Sequence, residues 1–136
     1  MKSIAPYLNF DGNTREAMTF YHECLGGNLD VQTFKESGMP SPPEAADRIL
    51  HARITSGSAV VMASDTMPGM PFKAGTNFAM VIDCDSVEEQ DKLVAALSKG
   101  GKITMELQDA FWGARFAMLT DKYGVNWMFN FELPKA

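Results

Sequence analysis

Histidine and cysteine are scarce in this chain, two of each in 136 residues. An iron site of two imidazoles and one carboxylate would need both histidines side by side. His22 falls in a helix-like run beside Tyr21, and His51 in the middle of a strand-like run, so the two are not expected to converge. Cys24 and Cys84 have no metal-ligand spacing and read as reduced, packed thiols of a cytoplasmic protein. Positive charge is also short: 12 Lys and Arg stand against 17 Asp and Glu, a net charge of −5. The basic residues are scattered, which argues against a nucleic-acid partner. No apolar run approaches the ~20 residues of a membrane span, and the N-terminus shows no apolar leader core. No GxGxxG turn is present, so a methyl donor bound on a doubly wound sheet is not expected.

What is there comes twice. The strand-like IAPYLNF, residues 4 to 10, is followed by DGN, and Asn13 stands three residues before Glu16, an approximate capping box. Ala17, Phe20, Tyr21 and Cys24 then recur at helical spacing. Gly26-Gly27 ends the helix, because glycine adopts the left-handed conformation without steric cost, and LDVQTF resumes as a strand. The second half repeats the order with the strand NFAMVID from residue 77, the capping box Ser86–Glu89, Leu93, Val94 and Leu97 on a helix face, Gly100-Gly101, and KITMEL. Asn13 to Ser86 and Gly26 to Gly100 are separated by nearly the same offset, which points to a duplication. Two strands complete each half, 47 to 55 and 58 to 65 in the first, 114 to 121 and 126 to 132 in the second. The predicted fold is therefore α+β, a single domain of duplicated βαβββ units. The first unit spans 1–65, a Pro- and Gly-rich linker 66–74, and the second unit 75–136.

Alternation sorts the strand faces. Leu8 and Phe10 oppose Tyr7 and Asn9; Leu50, Ala52 and Ile54 oppose Ile49, His51 and Arg53; Trp127, Phe129 and Phe131 oppose Asn126, Met128 and Asn130. Each sheet is expected to turn a greasy face to a helix and a mixed face to a cleft. Such a lining, apolar with a few directed polar groups, suits a small organic ligand.

The stretches PYLNFDGN, FYHECLGGN, ILHARI, KGGKITMEL and FWGARFAMLTDKYGVNWMFN resemble the PhnB-like family of the vicinal-oxygen-chelate superfamily, which includes glyoxalases, bleomycin-resistance proteins and dioxygenases. Members are often labelled 3-demethylubiquinone methyltransferase-like. The resemblance implies a glyoxalase-like fold with an open, cleft-lining sheet, and a homodimer. It also implies a divalent metal held by His or Glu on strands 1, 4, 5 and 8. Here those places carry Pro6 or Tyr7, Met62 or Ser64, Asn77 or Thr76, and Met128. None is a standard ligand for such metals, so no metal and no other cofactor is expected.

The expected ligand-binding residues are Tyr7, Asn9, His51, Arg53, Met62, Ser64, Asn77, Trp112, Arg115, Met128 and Asn130, with His51 the candidate acid–base group. Against this, the plainer reading makes His51 a hydrogen-bonded strand residue, and Arg53 and Arg115 partners of nearby acids. Met39, Met67 and Met70 suit a pliable lid or a dimer contact. Two alternative functions remain: a metal-dependent lyase or oxygenase using Asp65 or Glu132, and the methyltransferase of the family label.

Overall fold

A computed structural model describes residues 1–135. The chain divides into two compact units, Met1–Lys73 and a second beginning at Ala74. The first unit runs β1 (Tyr7–Phe10), α1 (Thr14–Leu25), β2 (Asn28–Thr33), a short α2 (Phe34–Ser37), β3 (Ile49–Ser56) and β4 (Ala59–Asp65). The second runs β5 (Met80–Asp83), α3 (Val87–Leu97), β6 (Lys102–Ala110), β7 (Ala114–Thr120) and β8 (Asn126–Glu132). Each makes one four-stranded mixed sheet, ordered β1-β4-β3-β2 and β5-β8-β7-β6. In both, the central strand pairs in parallel with the first strand and antiparallel with its hairpin partner. This is the duplicated α+β architecture expected from the sequence.

Alternation builds the core of each unit. Leu8, Phe10, Ala52, Ile54, Val61 and Ala63 are buried in the first, beneath Ala17, Met18, Phe20 and Tyr21 of α1. Ala117, Leu119, Trp127 and Phe129 are buried in the second, with Leu93, Val94 and Leu97 of α3. Each such side chain contributes about 1.5–3 kcal/mol through removal from water. The helices stop where glycine permits. Gly27 has φ of 79°, and a Cβ on it would overlap the Thr55 carbonyl oxygen. A Cβ on Gly101 would overlap the Thr120 carbonyl oxygen in the same way. The two glycines thus let helix and sheet meet closely at equivalent corners.

Several local expectations change. Asn13 makes no side-chain cap. Instead the buried Asp65, at the end of β4, accepts from Gly12 N, Thr14 N and the Thr14 hydroxyl on Oδ1, and from Ile49 N on Oδ2. A carboxylate from a distant strand, carrying full negative charge at the helix N-terminus, displaces the local amide. Ser86 does cap α3 by accepting from Glu89 N, while Glu89 reaches back to Asp85 N. A capping box between Thr33 and Glu36 begins α2, so Phe34 leaves the predicted strand. The Thr33 backbone and hydroxyl hydrogen bonds hold the Glu36 carboxyl below its ordinary pKa. A register shift between Gln32 and Thr33 pairs Thr33 with Ile49 and skips Leu50. The bulge reverses parity at the start of β3, so Ile49 enters the core and Leu50 is half-buried. β1 and β5 are shorter than expected, and Asn77 lies in a bend before β5, outside the sheet.

Candidate functional site

In the first unit, the register places one set of residues together on the face away from α1. Tyr7 pairs with Met62 and Asn9 with Ser64 across β1 and β4. Arg53 pairs with Met62 on one side and Asp30 on the other, and His51 with Gln32. Paired residues share a face, so Tyr7, Asn9, His51, Arg53, Met62 and Ser64 form one surface, as expected. Tyr7 Oη and His51 Nδ1 are hydrogen-bonded at 3.0 Å, with ring centroids 5.8 Å apart. Ser64 Oγ reaches Asn9 Oδ1 at 3.4 Å. The Arg53 guanidinium has no hydrogen bond or ion pair among the described residues. By contrast, Arg48 donates to Asp11 at 2.9 Å, and this guanidinium holds the Asp11 carboxyl below the usual carboxylate range. His22 lies apart from this surface and donates Nε2–H to the Gly27 carbonyl at 2.8 Å, closing the end of α1.

The second unit presents the equivalent surface with different chemistry. Val81 pairs with Met128 and Asp83 with Asn130 across β5 and β8. Phe116 pairs with Asn130, and Met118 with Met128. Asn130 Nδ2 donates to Asp83 Oδ1 at 3.2 Å, and Trp112 Nε1 donates to Asn130 Oδ1 at 3.4 Å. The Trp112 ring stands edge-on to Phe116 with centroids 5.2 Å apart, so it covers its own sheet while remaining half exposed. A groove of about 550 Å³ runs beside it, lined by Trp112, Gly113, Glu132, Leu133, Pro134 and Lys135.

Arg115 requires a correction. It pairs with Phe131 and so lies on the helix side of the sheet, with Phe129 and Trp127. Its guanidinium donates to Gln90 Oε1 at 3.0 Å and to Asp91 at 2.8 Å, both on α3. Gln90 is fully buried and donates Nε2–H to the carbonyls of Arg115 and Phe129. The arginine and glutamine together tie α3 to β7 and β8; neither reaches the mixed face. Asn77 is likewise absent from that face. Asp83 is the residue sequence reasoning missed. It stands an even number of positions after Asn77, so alternation carried to the end of the strand would have found it.

Of the places expected to carry metal ligands, Tyr7, Met62, Ser64 and Met128 lie on the parallel strand pairs, and Asn77 lies before β5, outside the sheet. The mixed-face residues of those pairs are Tyr7, Asn9, Met62 and Ser64 in the first unit and Val81, Asp83, Met128 and Asn130 in the second. Asp83 is the one carboxylate among them, and it is engaged by Asn130. Divalent cations in proteins are held by several carboxylates or imidazoles, so this donor set does not fit one. Asp65 lies on the core side and is committed to backbone donors. Glu132 is exposed at the end of β8. Among the described residues, no three of His, Cys, Asp and Glu gather. No helix among them is long and apolar enough to cross a membrane.

Comparison with known proteins agrees with the geometry. Residues 3–129 match the family model of the Glyoxalase/Bleomycin resistance protein/Dioxygenase superfamily. Protein YjdN of Escherichia coli K12 is 36% identical, with 93% of each chain covered. The crystal structure of protein PA1353 from Pseudomonas aeruginosa is similar at 40% identity and TM-score 0.87, covering 98% of this chain and 100% of that one. A PhnB protein from Bacillus cereus, carrying a provisional 3-demethylubiquinone-9 3-methyltransferase name, is 25% identical at TM-score 0.76. That match covers 96% of this chain and 99% of the other.

Proposed function

The chain belongs to the Glyoxalase/Bleomycin resistance protein/Dioxygenase superfamily, and on that premise we propose that it binds a small organic molecule on the mixed faces of its sheets, without the superfamily's divalent metal. The observation that carries this reading is the makeup of the eight mixed-face positions of the parallel pairs, where hydroxyl, amide, thioether and aliphatic side chains stand with a single carboxylate. Such a surface offers apolar contact and a few directed hydrogen bonds, the pattern of a ligand site. It lacks the charge that desolvating a divalent cation demands.

The reading is tested by a thermal-shift screen against a metabolite library, followed by titration of each hit. A ligand held on the first sheet's mixed face loses about tenfold in affinity in His51→Ala, the loss of one good hydrogen bond or ring contact. A ligand held on the second sheet's mixed face loses a similar amount in Met128→Ala through lost packing. Hits that bind both variants as tightly as the parent would place the ligand elsewhere. The name carried by the Bacillus cereus relative suggests methyl transfer, and calorimetry with S-adenosylmethionine tests it separately. No heat of binding is expected, because no glycine-rich strand-to-helix turn offers the donor a seat; saturable stoichiometric binding would restore that reading.

A further inference from the structure

Two of the four arginines are placed by acidic neighbours: Arg48 and Arg115 make ion pairs with Asp11 and Asp91, while Arg15 stands on α1, on the other side of the sheet. Arg53 differs: it is exposed on the mixed face, and its guanidinium is unpartnered among the described residues. Asp30 opposes it in register across β2 yet makes no ion pair with it. Two residues earlier on the same face stands His51, at a spacing of about 6–7 Å along the strand. Its Nδ1 is already engaged by the Tyr7 hydroxyl, so Nε2 is the ring nitrogen left to face a ligand. If the Tyr7 hydroxyl donates to Nδ1, Nε2 carries the proton and is a donor.

We infer that this surface selects a monocarboxylate: the Arg53 fork takes the carboxylate, and His51, held by Tyr7, donates Nε2–H to a second oxygen of the same molecule. This inference rests on the small-molecule reading above and names the ligand class for it. A planar guanidinium matches a planar carboxylate in two parallel hydrogen bonds. The charge count favours one negative charge over two. Among the described residues Arg53 is the single cation on this face, and Asp30 across from it offsets part of its field, so a phosphate dianion would be left under-neutralised. His51 and Tyr7 orient the ligand, and Arg53 sets its charge.

The test uses three probes with one phenyl ring, the planar isosteres benzoate and benzamide and the tetrahedral phenyl phosphate, titrated into the isotopically labelled full chain. Resonances of the Arg53 side chain and the His51 ring report the site. Benzoate is expected to bind about tenfold more tightly than benzamide, the worth of a charge-assisted hydrogen bond over a neutral one, and more tightly than phenyl phosphate. Arg53→Ala abolishes the preference for benzoate, Arg53→Lys keeps part of it, and Asp30→Asn strengthens benzoate binding. Arg53→Ala is expected to melt with the parent chain, so lost binding is not lost folding. Equal affinity for benzoate and benzamide, or a preference that survives Arg53→Ala, overturns the inference. Tighter binding of phenyl phosphate overturns the monocarboxylate assignment. Neutral library hits that map to Tyr7, His51 and Met62 without any carboxylate preference would sink this inference alone and leave the small-molecule reading standing.

Discussion

His51 and Phe116 occupy the same place in the two copies of the βαβββ unit. Each lies three residues before a strand residue, Ile54 or Leu119, that pairs with the central strand at Val61 or Trp127. The same correspondence sets Arg53 against Met118, Tyr7 against Val81, Asn9 against Asp83, and Ser64 against Asn130. Positions that pack a helix on a sheet stay alike: Ala52 and Ala117 are both fully buried, and Gly27 and Gly101 both abut a strand carbonyl. The face away from the helix has diverged, to Tyr, His and Arg in the first unit and to Val, Phe and Met in the second. Packing constrains one face of a sheet tightly, and the other is left open to be shaped by what it binds. A duplicated fold that keeps the same helix-on-sheet packing plan in both copies, with different side chains filling it, and two different outer faces separates stability from recognition.

That separation can be broken most forcefully at Asp65. Asp65→Ala removes the acceptor for Gly12 N, Thr14 N and Ile49 N at once. A stability loss of about 3 kcal/mol or more is expected in urea titration, since each buried unsatisfied donor costs about 1–3 kcal/mol. The second unit has Phe131 at the matching place and fastens its helix through Gln90 instead. Gln90→Leu removes the donor to the Arg115 and Phe129 carbonyls and leaves the Arg115 guanidinium with Asp91 alone, and a loss of about 2 kcal/mol is expected. If both variants were neutral, the core side of the comparison would fail.

A smaller effect sharpens the contrast between the two arginines. Arg115→Ala is expected to cost about 1 kcal/mol, because its bond to the buried Gln90 counts while its half-exposed pair with Asp91 adds little. Arg53→Ala should stay within about 0.5 kcal/mol of the parent chain. Equal losses would place both arginines in the same structural class. The smallest effect concerns Cys84, whose counterpart in the first unit is the buried Phe10. Burial, aided by Glu89, Asp83 and Asp85, pushes the Cys84 thiol up to about 11 from 9.0. The folded chain therefore holds a proton that the unfolded chain releases, and stability should decline as pH rises from about 9 through 11. Alkylation of Cys84 followed by mass spectrometry should be slow at pH 8 and accelerate toward pH 11; rapid modification at pH 8 would contradict the burial.

Most of the fold was legible because it rests on local signals. The Ser86 cap, the paired glycines and the alternation in β1 and β8 are each fixed within a few residues. The misreadings share a cause in distance or register. Asn13 looks like a cap, but the acceptor that wins arrives from Asp65, 51 residues from Thr14. The face of Arg115 depends on how β7 pairs with β8. That pairing is set by the turn in which Asp121 N donates to the Val125 carbonyl and the Asp121 carboxylate accepts from Tyr123 N, Val125 N and Trp127 Nε1. Once Thr120 is opposite Asn126, Arg115 falls opposite Phe131 and must face the helix. The bulge that swaps Ile49 for Leu50 leaves no mark in the alternation of β3 itself. On the candidate site, Tyr7, His51, Arg53 and Asp83 were readable from alternation alone, whereas the cover that Trp112 makes over Phe116 needed the register of the second sheet.

The account turns on whether the mixed faces work without a divalent cation. Elemental analysis of the chain purified without chelator, paired with thermal shifts against manganese, iron, nickel and zinc, measures this directly. The account predicts metal well below one ion per chain and unchanged melting. A stoichiometric bound metal, with the stabilisation of several kcal/mol that tight binding to the folded state confers, would contradict it.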